Sequence, residues 1–394
     1  MNEYKIVKIT DLGTVNRGKS EHRPRNDSIL YGGEYPFIQT GDVKKANLHL
    51  VDYTQTYNDV GLKQSKLWKK GTLCFTIAAN IADSAILGMD ACFPDSIVGF
   101  LPYENVSDTT YVKYLFDELK LYFQQISKGT TQDNLSLDKI CRVKLRVPDY
   151  DTQVKVASIL STYDTAIENN NKRIRLLEQM TENLYKEWFV RFRFPGYEDV
   201  EFEEKKPRGW QVGTEDKKHF APTIFRYDEF GTIGSFVRGK NITAAQMIEG
   251  NIPVISAGLQ PSGYHNEANV FGENLTISAS GANAGYLQYN LNDIWAADCS
   301  YYQDDATIWF VYNTLKYLQP VINNLQCGAA QPHVYPKNIN RLCILIPTEE
   351  LIHKYNDSVK PYYDEIKVLN QHNQLLTQQR DLLLPRLMSG KLEV

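Results

Sequence analysis

The amino-acid sequence predicts an α+β fold with two tandem β-rich domains, each followed by a long helix. It further predicts that the two helices pack as an antiparallel coiled coil, in a pseudo-twofold arrangement. Three observations lead to this prediction. One stretch of the chain occurs twice, short β-forming runs fill the first part of each copy, and each copy ends in an apolar heptad pattern.

The repeated stretch is GTTQDNLSLDKICRVKLRVP (129–148), which corresponds to GAAQPHVYPKNINRLCILIP (328–347). Both begin with Gly-x-x-Gln, contain an Arg before an apolar run, and end with Pro, at an offset of 199 residues. A repeat at this distance indicates two copies of one fold rather than a short structural repeat.

Two further pairs of segments extend the repeat towards the start of each copy. GTVNRGK (13–19) corresponds to GSFVRGK (234–240), and YPFIQTG (35–41) corresponds to IPVISAG (252–258). The order of the matching segments is the same while the offset changes. The copies therefore differ mainly in the loops between matching strands.

The first part of each copy contains short Val, Ile, Tyr and Phe runs broken by Gly, Asn, Asp and Pro, which is typical of β-strands and turns. In CRVKLRVP (141–148), apolar and basic residues alternate, which predicts a strand with one buried face. Its basic face either contacts phosphates or is solvated. The second copy has Cys343 and Leu345 in place of Lys144 and Arg146, which favours the solvated face.

After each repeated stretch, apolar residues recur at steps of three and four, which predicts a long helix with a heptad seam. Polar residues such as Asn170 and Asn373 interrupt the seams and are expected to fix the register of the pair. The alternative is that each helix packs on its own β-rich domain. The predicted seam residues are Ile167, Ile174, Leu177, Leu184, Ile366, Leu369, Leu376 and Leu383.

These patterns divide the chain into five segments. The predicted boundaries are a first β-rich domain at 1–148, a long helix at 149–193, a linker at 194–228, a second β-rich domain at 229–347 and a second long helix at 348–394. The linker is predicted from its Pro, Gly and charged residues.

The net charge of the chain limits how it can contact nucleic acid. The net charge is -4 and the pI is near 6.0, so contact with nucleic acid must be local or shared with a partner. The scattered cysteines and the polar N-terminal residues predict a reduced, cytoplasmic protein with no membrane segment. We expect no catalytic residue, nucleotide-binding loop, metal site or cofactor on this chain, and SGANAG (280–285) is predicted to be a tight turn.

The sequence resembles the specificity subunits of type I restriction-modification systems over nearly its full length. VPDYDTQVKVASILSTYDTAIENNNKRIRLLEQM (147–180) is similar to the start of the family's central helix, and DLLLPRLMSGKLEV (381–394) is similar to its C-terminal end. The segments that contain Pro36–Gly41 and Pro253–Gly258, with the two Gly-x-x-Gln pieces, resemble the two target-recognition domains of the family.

The resemblance implies that the chain binds double-stranded DNA and recognises a bipartite sequence. It implies that two methyltransferase subunits bind the helices and that restriction subunits join through them. S-adenosylmethionine and ATP with Mg²⁺ are expected on those partner subunits and not on this chain.

The resemblance also indicates which loops face DNA. Lys and Arg are expected to contact phosphates, whereas Gln, Ser and Thr are expected to contact base edges. The second copy has Ala329 and Ala330 in place of Thr130 and Thr131, so this loop differs between the two domains. The predicted DNA-binding residues are Arg17, Lys19, Gln39, Thr40, Thr130, Thr131 and Gln132, with Arg238, Lys240, Ser256, Gln331 and His333 in the second domain.

A second hypothesis is a coiled-coil scaffold whose β-rich domains bind protein. DNA binding that weakens as salt competes for phosphates distinguishes the first hypothesis from this one. A specificity subunit of a system without restriction subunits agrees equally well with the sequence.

Overall fold

The computed structural model describes residues 4–128, 135–205, 219–327 and 332–394. The chain forms two compact units, the first from residues 1–172 and 370–394 and the second from residues 173–369. The long helices Tyr150–Tyr185 and Glu349–Met388 contribute residues to both units. Each unit therefore consists of a β-rich part and a segment of each long helix.

The strands of the first unit are β1 (Lys5–Val7), β2 (Gly13–Arg17), β3 (Tyr31–Phe37), β4 (His49–Leu50), β5 (Gln55–Tyr57), β6 (Leu67–Trp68), β7 (Leu73–Thr76), β8 (Ser84–Leu87), β9 (Ala91–Cys92), β10 (Ile97–Pro102) and β11 (Leu145–Val147). They form a five-stranded sheet in the order β2-β10-β7-β8-β4, a four-stranded sheet in the order β5-β3-β9-β6, and the two-stranded sheet β1-β11. The short helices of this unit are Ile9–Leu12, Thr40–Lys45, Asp59–Lys63, Thr109–Glu118, Lys120–Ser127 and Leu137–Arg142.

Aromatic side chains join the five-stranded sheet to two helices of the first unit. Phe75 on β7 contacts Phe116 and Phe123, with ring centroids 4.7 and 5.3 Å away. Edge-to-face contacts of this kind add to the stabilisation from apolar burial. The core of the first unit lies between this sheet and these helices.

The strands of the second unit are β12 (Phe202–Lys205), β13 (His219–Pro222), β14 (Arg226–Glu229), β15 (Val237–Arg238), β16 (Ile252–Ile255), β17 (Gly263–His265), β18 (Asn274–Ser278), β19 (Leu287–Asn290), β20 (Trp295–Ala296), β21 (Cys299–Tyr302) and β22 (Cys343–Ile346). They form the sheets β15-β21-β18-β19 and β17-β16-β20 and the pairs β12-β13 and β14-β22. The short helices of this unit are Ile308–Tyr317, Gln319–Asn324 and Pro336–Asn340, and a π-helical turn at Lys186–Val190 follows the first long helix. In the segment predicted as a linker, 194–228, the described residues include β12 and β13.

The internal repeat predicted from the sequence is confirmed by the strand pairing. β2 pairs with β10 in the first unit, and β15 pairs in the same antiparallel way with β21 in the second. The parallel pair of β3 and β9 corresponds to that of β16 and β20, and the pair β1-β11 corresponds to β14-β22. The matching sequence segments therefore occupy matching places in two copies of one fold.

The two long helices run antiparallel, as predicted. In the first unit, Asn170 Nδ2 donates to Asn373 Oδ1 at 2.9 Å, and Asp164 binds Arg380. In the second unit, the Thr181 hydroxyl lies 3.2 Å from the Tyr363 hydroxyl and Arg173 binds Glu365. In both units, moving towards the end of the first helix corresponds to moving towards the start of the second helix, as antiparallel packing requires.

Each helix segment also packs on the β-rich part of its unit, so the two arrangements considered for the helices occur together. Val156 and Leu160 of the first helix and Leu387 and Met388 of the second are buried in the core of the first unit. Among the predicted seam residues, those that are buried are Ile167, Ile366 and Leu369, and those that are partly buried are Ile174, Leu177, Leu184, Leu376 and Leu383.

Candidate nucleic-acid interface

The Arg-Gly-Lys motif of the first unit lies where β2 ends. The Gly18 N–H donates to the Ile97 carbonyl at 2.8 Å and the Lys19 N–H donates to the Phe93 carbonyl at 3.0 Å. A Cβ at Gly18 would lie 2.3 Å from the Phe93 carbonyl oxygen, so this position requires glycine. The close backbone contact leaves the Arg17 and Lys19 side chains exposed at the end of the strand.

The second unit has the same backbone arrangement. The Gly239 N–H donates to the Cys299 carbonyl and the Lys240 N–H donates to the Ala296 carbonyl, both at 2.9 Å. A Cβ at Gly239 would lie 2.5 Å from the Ala297 carbonyl oxygen. Each unit thus exposes one arginine and one lysine from the same rigid site, which suits contact with phosphates.

Residues Gly13–Ser20 read GTVNRGKS, which matches the G-x-x-x-x-G-K-[ST] spacing of a nucleotide-binding loop. The segment does not form such a loop, because Gly13–Arg17 are strand β2 and no helix follows Ser20 directly. The N–H groups of Gly18 and Lys19, which would have to bind phosphate, are bound to carbonyl groups instead. The match is a coincidence of spacing.

The two motif arginines differ in their surroundings. Within the described residues, the Arg17 side chain makes no hydrogen bond or ion pair, whereas Lys19 Nζ lies 3.1 Å from Glu21 Oε1. In the second unit, Arg238 forms an ion pair with Asp298, and the Ser280 hydroxyl donates to the same carboxylate. One arginine is therefore free to reorient and the other is held.

The matched residues after β3 and β16 lie in different local structures. Gln39 caps the helix Thr40–Lys45, with its N–H bound to Asp42 at 2.9 Å and its side chain bound to Gln55 at 2.6 Å. Ser256 instead lies in the turn between β16 and β17, with its hydroxyl 3.0 Å from that of Ser262. The first unit has a helix at this point where the second has a turn.

A turn that the sequence prediction did not connect with binding lies at the centre of these segments in the second unit. It is SGANAG (280–285), with Gly281 and Gly285 at φ values of 75° and 88°. The Gly281 N–H donates to the Pro332 carbonyl at 3.0 Å, next to His333, and Asn283 Nδ2 donates to the Ala257 carbonyl at 3.4 Å. The sequence feature that indicates this turn is the spacing of its two glycines, which lie between two segments that match the first copy.

The turn brings together the segments that carry Arg238, Ser256 and His333. The His333 backbone pairs with Ser280 and with Cys327, and its ring stacks on Tyr335 with centroids 6.0 Å apart. Lys240 lies beside this group, with its carbonyl accepting from Trp295 Nε1 at 2.8 Å. The remaining predicted contacts, Thr130, Thr131, Gln132 and Gln331, lie outside the described residues.

In the first unit the equivalent turn connects β7 to β8. Ala79 and Ala82 adopt φ values of 61° and 69°, which are unfavourable for residues other than glycine. The Leu135 N–H donates to the Ile77 carbonyl at 2.9 Å, as the Val334 N–H donates to the Ala279 carbonyl at 3.0 Å. The turn is therefore a shared feature of both copies.

Across the described ranges, no helix is long and apolar enough to cross a membrane.

The chain thus consists of two equivalent β-rich domains, each of which exposes an Arg-Gly-Lys motif at the end of a strand. The model of the type I restriction modification DNA specificity domain matches residues 1–179 and 223–378. These segments make up most of the chain, so the protein belongs to this family and is a DNA sequence-specificity subunit.

Individual relatives agree with this assignment. The chain is 26% identical to the type I restriction enzyme MjaIX specificity subunit of Methanocaldococcus jannaschii, over 100% of this chain and 94% of the relative. It is 23% identical to the HindI specificity subunit of Haemophilus influenzae, over 97% and 98% of the two chains. The crystal structure of a type I system S subunit from M. genitalium superposes with a TM-score of 0.56 at 16% identity, covering 98% and 96% of the chains, and thus has the same fold.

Proposed function

We propose that this specificity subunit reads a bipartite DNA target, with one β-rich unit recognising each half. The observation that supports this most directly is the Arg-Gly-Lys site, which has the same backbone hydrogen bonds in both units while the adjoining loops differ. Arg17, Lys19 and Lys240 supply the phosphate contacts. The polar residues of the adjoining loops select the bases.

The long helices are the proposed binding sites for two methyltransferase subunits. Leu176 and Leu375 occupy equivalent helix positions, 199 residues apart, and are 59% and 54% exposed. Exposed apolar residues at both equivalent positions are expected to be covered by a partner. The methyltransferase subunits carry S-adenosylmethionine, and restriction subunits with ATP and Mg²⁺ join through them, so that catalysis takes place on the partners.

The net charge of -4 bears on how this subunit binds DNA. A mildly acidic chain attracts DNA weakly, so specific binding is expected to be strong only in complex with the methyltransferase subunits. Gel-shift titrations with and without those subunits, at several salt concentrations, measure the difference. Nanomolar specific binding by the chain alone at physiological salt contradicts this division of roles.

The test of the two-reader function is a domain exchange. Residues 1–148 are replaced by the equivalent region of a relative, so that the paired strands β1 and β11 are exchanged together. The variant is expressed with the methyltransferase subunits, and methylated sites are sequenced. One half of the split site is expected to change while the other half is retained. If both halves change, the two units do not read separate half-sites. In the gel-shift titrations, DNA binding that does not depend on salt favours the scaffold hypothesis.

A further inference from the structure

The second unit holds its motif arginine in a fixed orientation, and the first unit does not. We infer that Asp298 is a positioning residue that presents Arg238 to a guanine base in the half-site read by the second unit. This inference rests on the proposed function, since it concerns how one of the two units selects its bases.

The Asp298 carboxylate is fixed by contacts to two different segments. One oxygen, Oδ1, binds Arg238 Nη2, and the other, Oδ2, accepts from the Ser280 hydroxyl. The Asp298 carbonyl also accepts from the Ala279 N–H at 3.3 Å. Because both carboxylate oxygens and the backbone are bound, the carboxylate cannot rotate freely, and neither can the guanidinium that it holds.

A held guanidinium suits a base edge better than a phosphate. Guanine presents O6 and N7 in the major groove, and arginine binds this pair of acceptors through two parallel N–H groups of its planar fork. The contact with Asp298 uses only part of the fork, and the other N–H groups remain available. An arginine that is already oriented loses less conformational freedom on forming the base contact.

The local charge supports the same assignment. The Asp298 carboxylate neutralises the charge of Arg238, which weakens its attraction to phosphates, whereas Lys240, two residues further along, binds no carboxylate among the residues that the structure describes. Arg17 occupies the equivalent position in the first unit and makes no ion pair within the described residues. The two equivalent arginines therefore have different roles: Arg17 contacts a phosphate and Arg238 contacts a base.

The surroundings of Arg238 are also those of a base-reading site. Ser280 begins the glycine-rich turn, and its backbone pairs with that of His333. The Ser278 hydroxyl donates to the Ala257 carbonyl at 3.1 Å, which joins the same group to the loop after β16. Arg238 is thus held beside the loops that differ between the two units, where sequence selection is expected.

The experiment uses the full chain in complex with its methyltransferase subunits. The variants are Asp298→Ala, Asp298→Asn and Arg238→Lys, with Asp228→Asn as the matched control, because Asp228 binds Arg226 at 3.2 Å in the same unit but away from the motif. Methylated sites are sequenced, and specific and non-specific DNA affinities are measured at several salt concentrations.

We expect Asp298→Ala and Arg238→Lys to relax the same single guanine position, reducing its discrimination by roughly tenfold to hundredfold. Asp298→Asn keeps the shape and is expected to have a smaller effect at that position. The other half of the site should remain unchanged in every variant, which also shows that the complex is folded. Arg238→Lys retains the charge, so the salt dependence should equal that of the wild type.

Two results overturn the inference. If both Asp298 variants keep the parental sequence and only raise non-specific affinity, Arg238 is a phosphate contact that Asp298 merely neutralises. If Arg238→Lys keeps the parental sequence, the planar fork does not read a base. A wild-type complex that methylates no split site would instead contradict the proposed function itself, which separates the two failures.

Discussion

The clusters that join the helices to the β-rich parts differ in chemistry between the two units, although they occupy equivalent positions. In the first unit, the Tyr114 hydroxyl donates to the Asp164 carboxylate, which also binds Arg380. The residues 199 positions from these three are Asn313, Tyr363 and Thr181. In the second unit, Asn313 Nδ2 donates to the Tyr363 hydroxyl at 2.8 Å, and the Thr181 hydroxyl lies 3.2 Å from the Tyr363 hydroxyl.

The two clusters show that one packing arrangement can be stabilised by an ion pair or by neutral hydroxyl and amide groups. The Asp164 side chain is 0% exposed and that of Arg380 is 17% exposed, so the charges depend on each other. Burial, and then the neighbouring Asp164, raise the pKa of Tyr114, which keeps its hydroxyl protonated as a donor. The first unit should therefore be far more sensitive than the second to the loss of one member.

The largest expected effect is that of Arg380→Ala. The substitution leaves the buried Asp164 carboxylate without its cation, which is expected to destabilise the first unit by about 3–5 kcal/mol. The matched Thr181→Ala removes only the neutral hydrogen bonds of one hydroxyl, to Tyr363 and to the Glu178 carbonyl, and should cost about 1–2 kcal/mol. Hydrogen-exchange protection of peptides from each unit measures both losses. Equal losses in the two units would show that the charge of the cluster is irrelevant to stability.

The second prediction converts one cluster into the other. The triple variant Tyr114→Asn, Asp164→Tyr and Arg380→Thr gives the first unit the residues of the second. Replacing a whole buried ion pair by a neutral, similarly sized group is often close to neutral, so the variant should recover most of the stability that Arg380→Ala loses. Urea denaturation measures the recovery. A triple variant less stable than Arg380→Ala would show that the two units pack differently around these positions.

The antiparallel helices and the repeat could be predicted because they depend on periodicity and on order along the chain. The cluster itself could not. Asp164 lies beside the predicted seam, where a carboxylate is normally solvated, and its burial depends on Arg380, 216 residues away. Similarly, steps of four and three back from the seam residue Ile366 reach Tyr362 and Tyr363, and Tyr363 is the buried one. Periodicity alone cannot decide between two adjacent tyrosines.

The third prediction concerns the asparagines that interrupt the apolar seam of the first unit. Asn373 accepts from Asn170 at 2.9 Å and donates to Asn171 at 2.8 Å, while the residues equivalent to Asn170 and Asn373 in the second unit are Leu369 and Ile174. Asn170→Leu alone leaves the side-chain oxygen Oδ1 of Asn373 without its donor and should cost about 1–2 kcal/mol.

The double variant Asn170→Leu, Asn373→Ile copies the second unit and is expected to restore or exceed wild-type stability. Cross-linking of cysteines introduced on the two helices tests whether the register is kept. A shifted register in the double variant would show that the asparagines select the alignment, as buried polar residues do in other coiled coils. An unchanged register would show that they have no such role.

The local surroundings of the predicted binding residues were less predictable than the fold. The Arg-Gly-Lys motif could be placed from the sequence because its glycine is required by a close backbone contact in both units. Gln39 and Ser256 follow equivalent strands, but Gln39 caps a helix, whereas Ser256 lies in a turn. The glycine-rich turn was recognised as a turn, but its contacts come from residues distant in sequence, such as Asp298 and Pro332.

The smallest expected effect is a pH response of opposite sign in the two units. Burial opposes ionisation of Glu168 in the first unit, but hydrogen bonds from the His49 side chain and backbone outweigh it and lower the pKa of Glu168. Its contribution to stability is thus present above the ordinary value of 4.5 and is lost as the pH falls through the lowered pKa. In the second unit, burial raises the pKa of Glu178, against the opposing effect of Lys316.

For Glu178 the sign is reversed: its contribution is fully present below 4.5 and is lost as the pH rises through the raised pKa. Glu168→Gln is therefore expected to lower the melting temperature at pH 7, and Glu178→Gln is expected to raise it, each by an amount that corresponds to about 1 kcal/mol or less. Both differences from the wild type should shrink as the pH falls and the glutamates become protonated. Thermal unfolding of the wild type and both variants across this pH range measures the effect. Shifts of the same sign at pH 7 would contradict the different surroundings of the two carboxylates, because hydrogen bonds from His49 stabilise the charged form of one while burial destabilises that of the other.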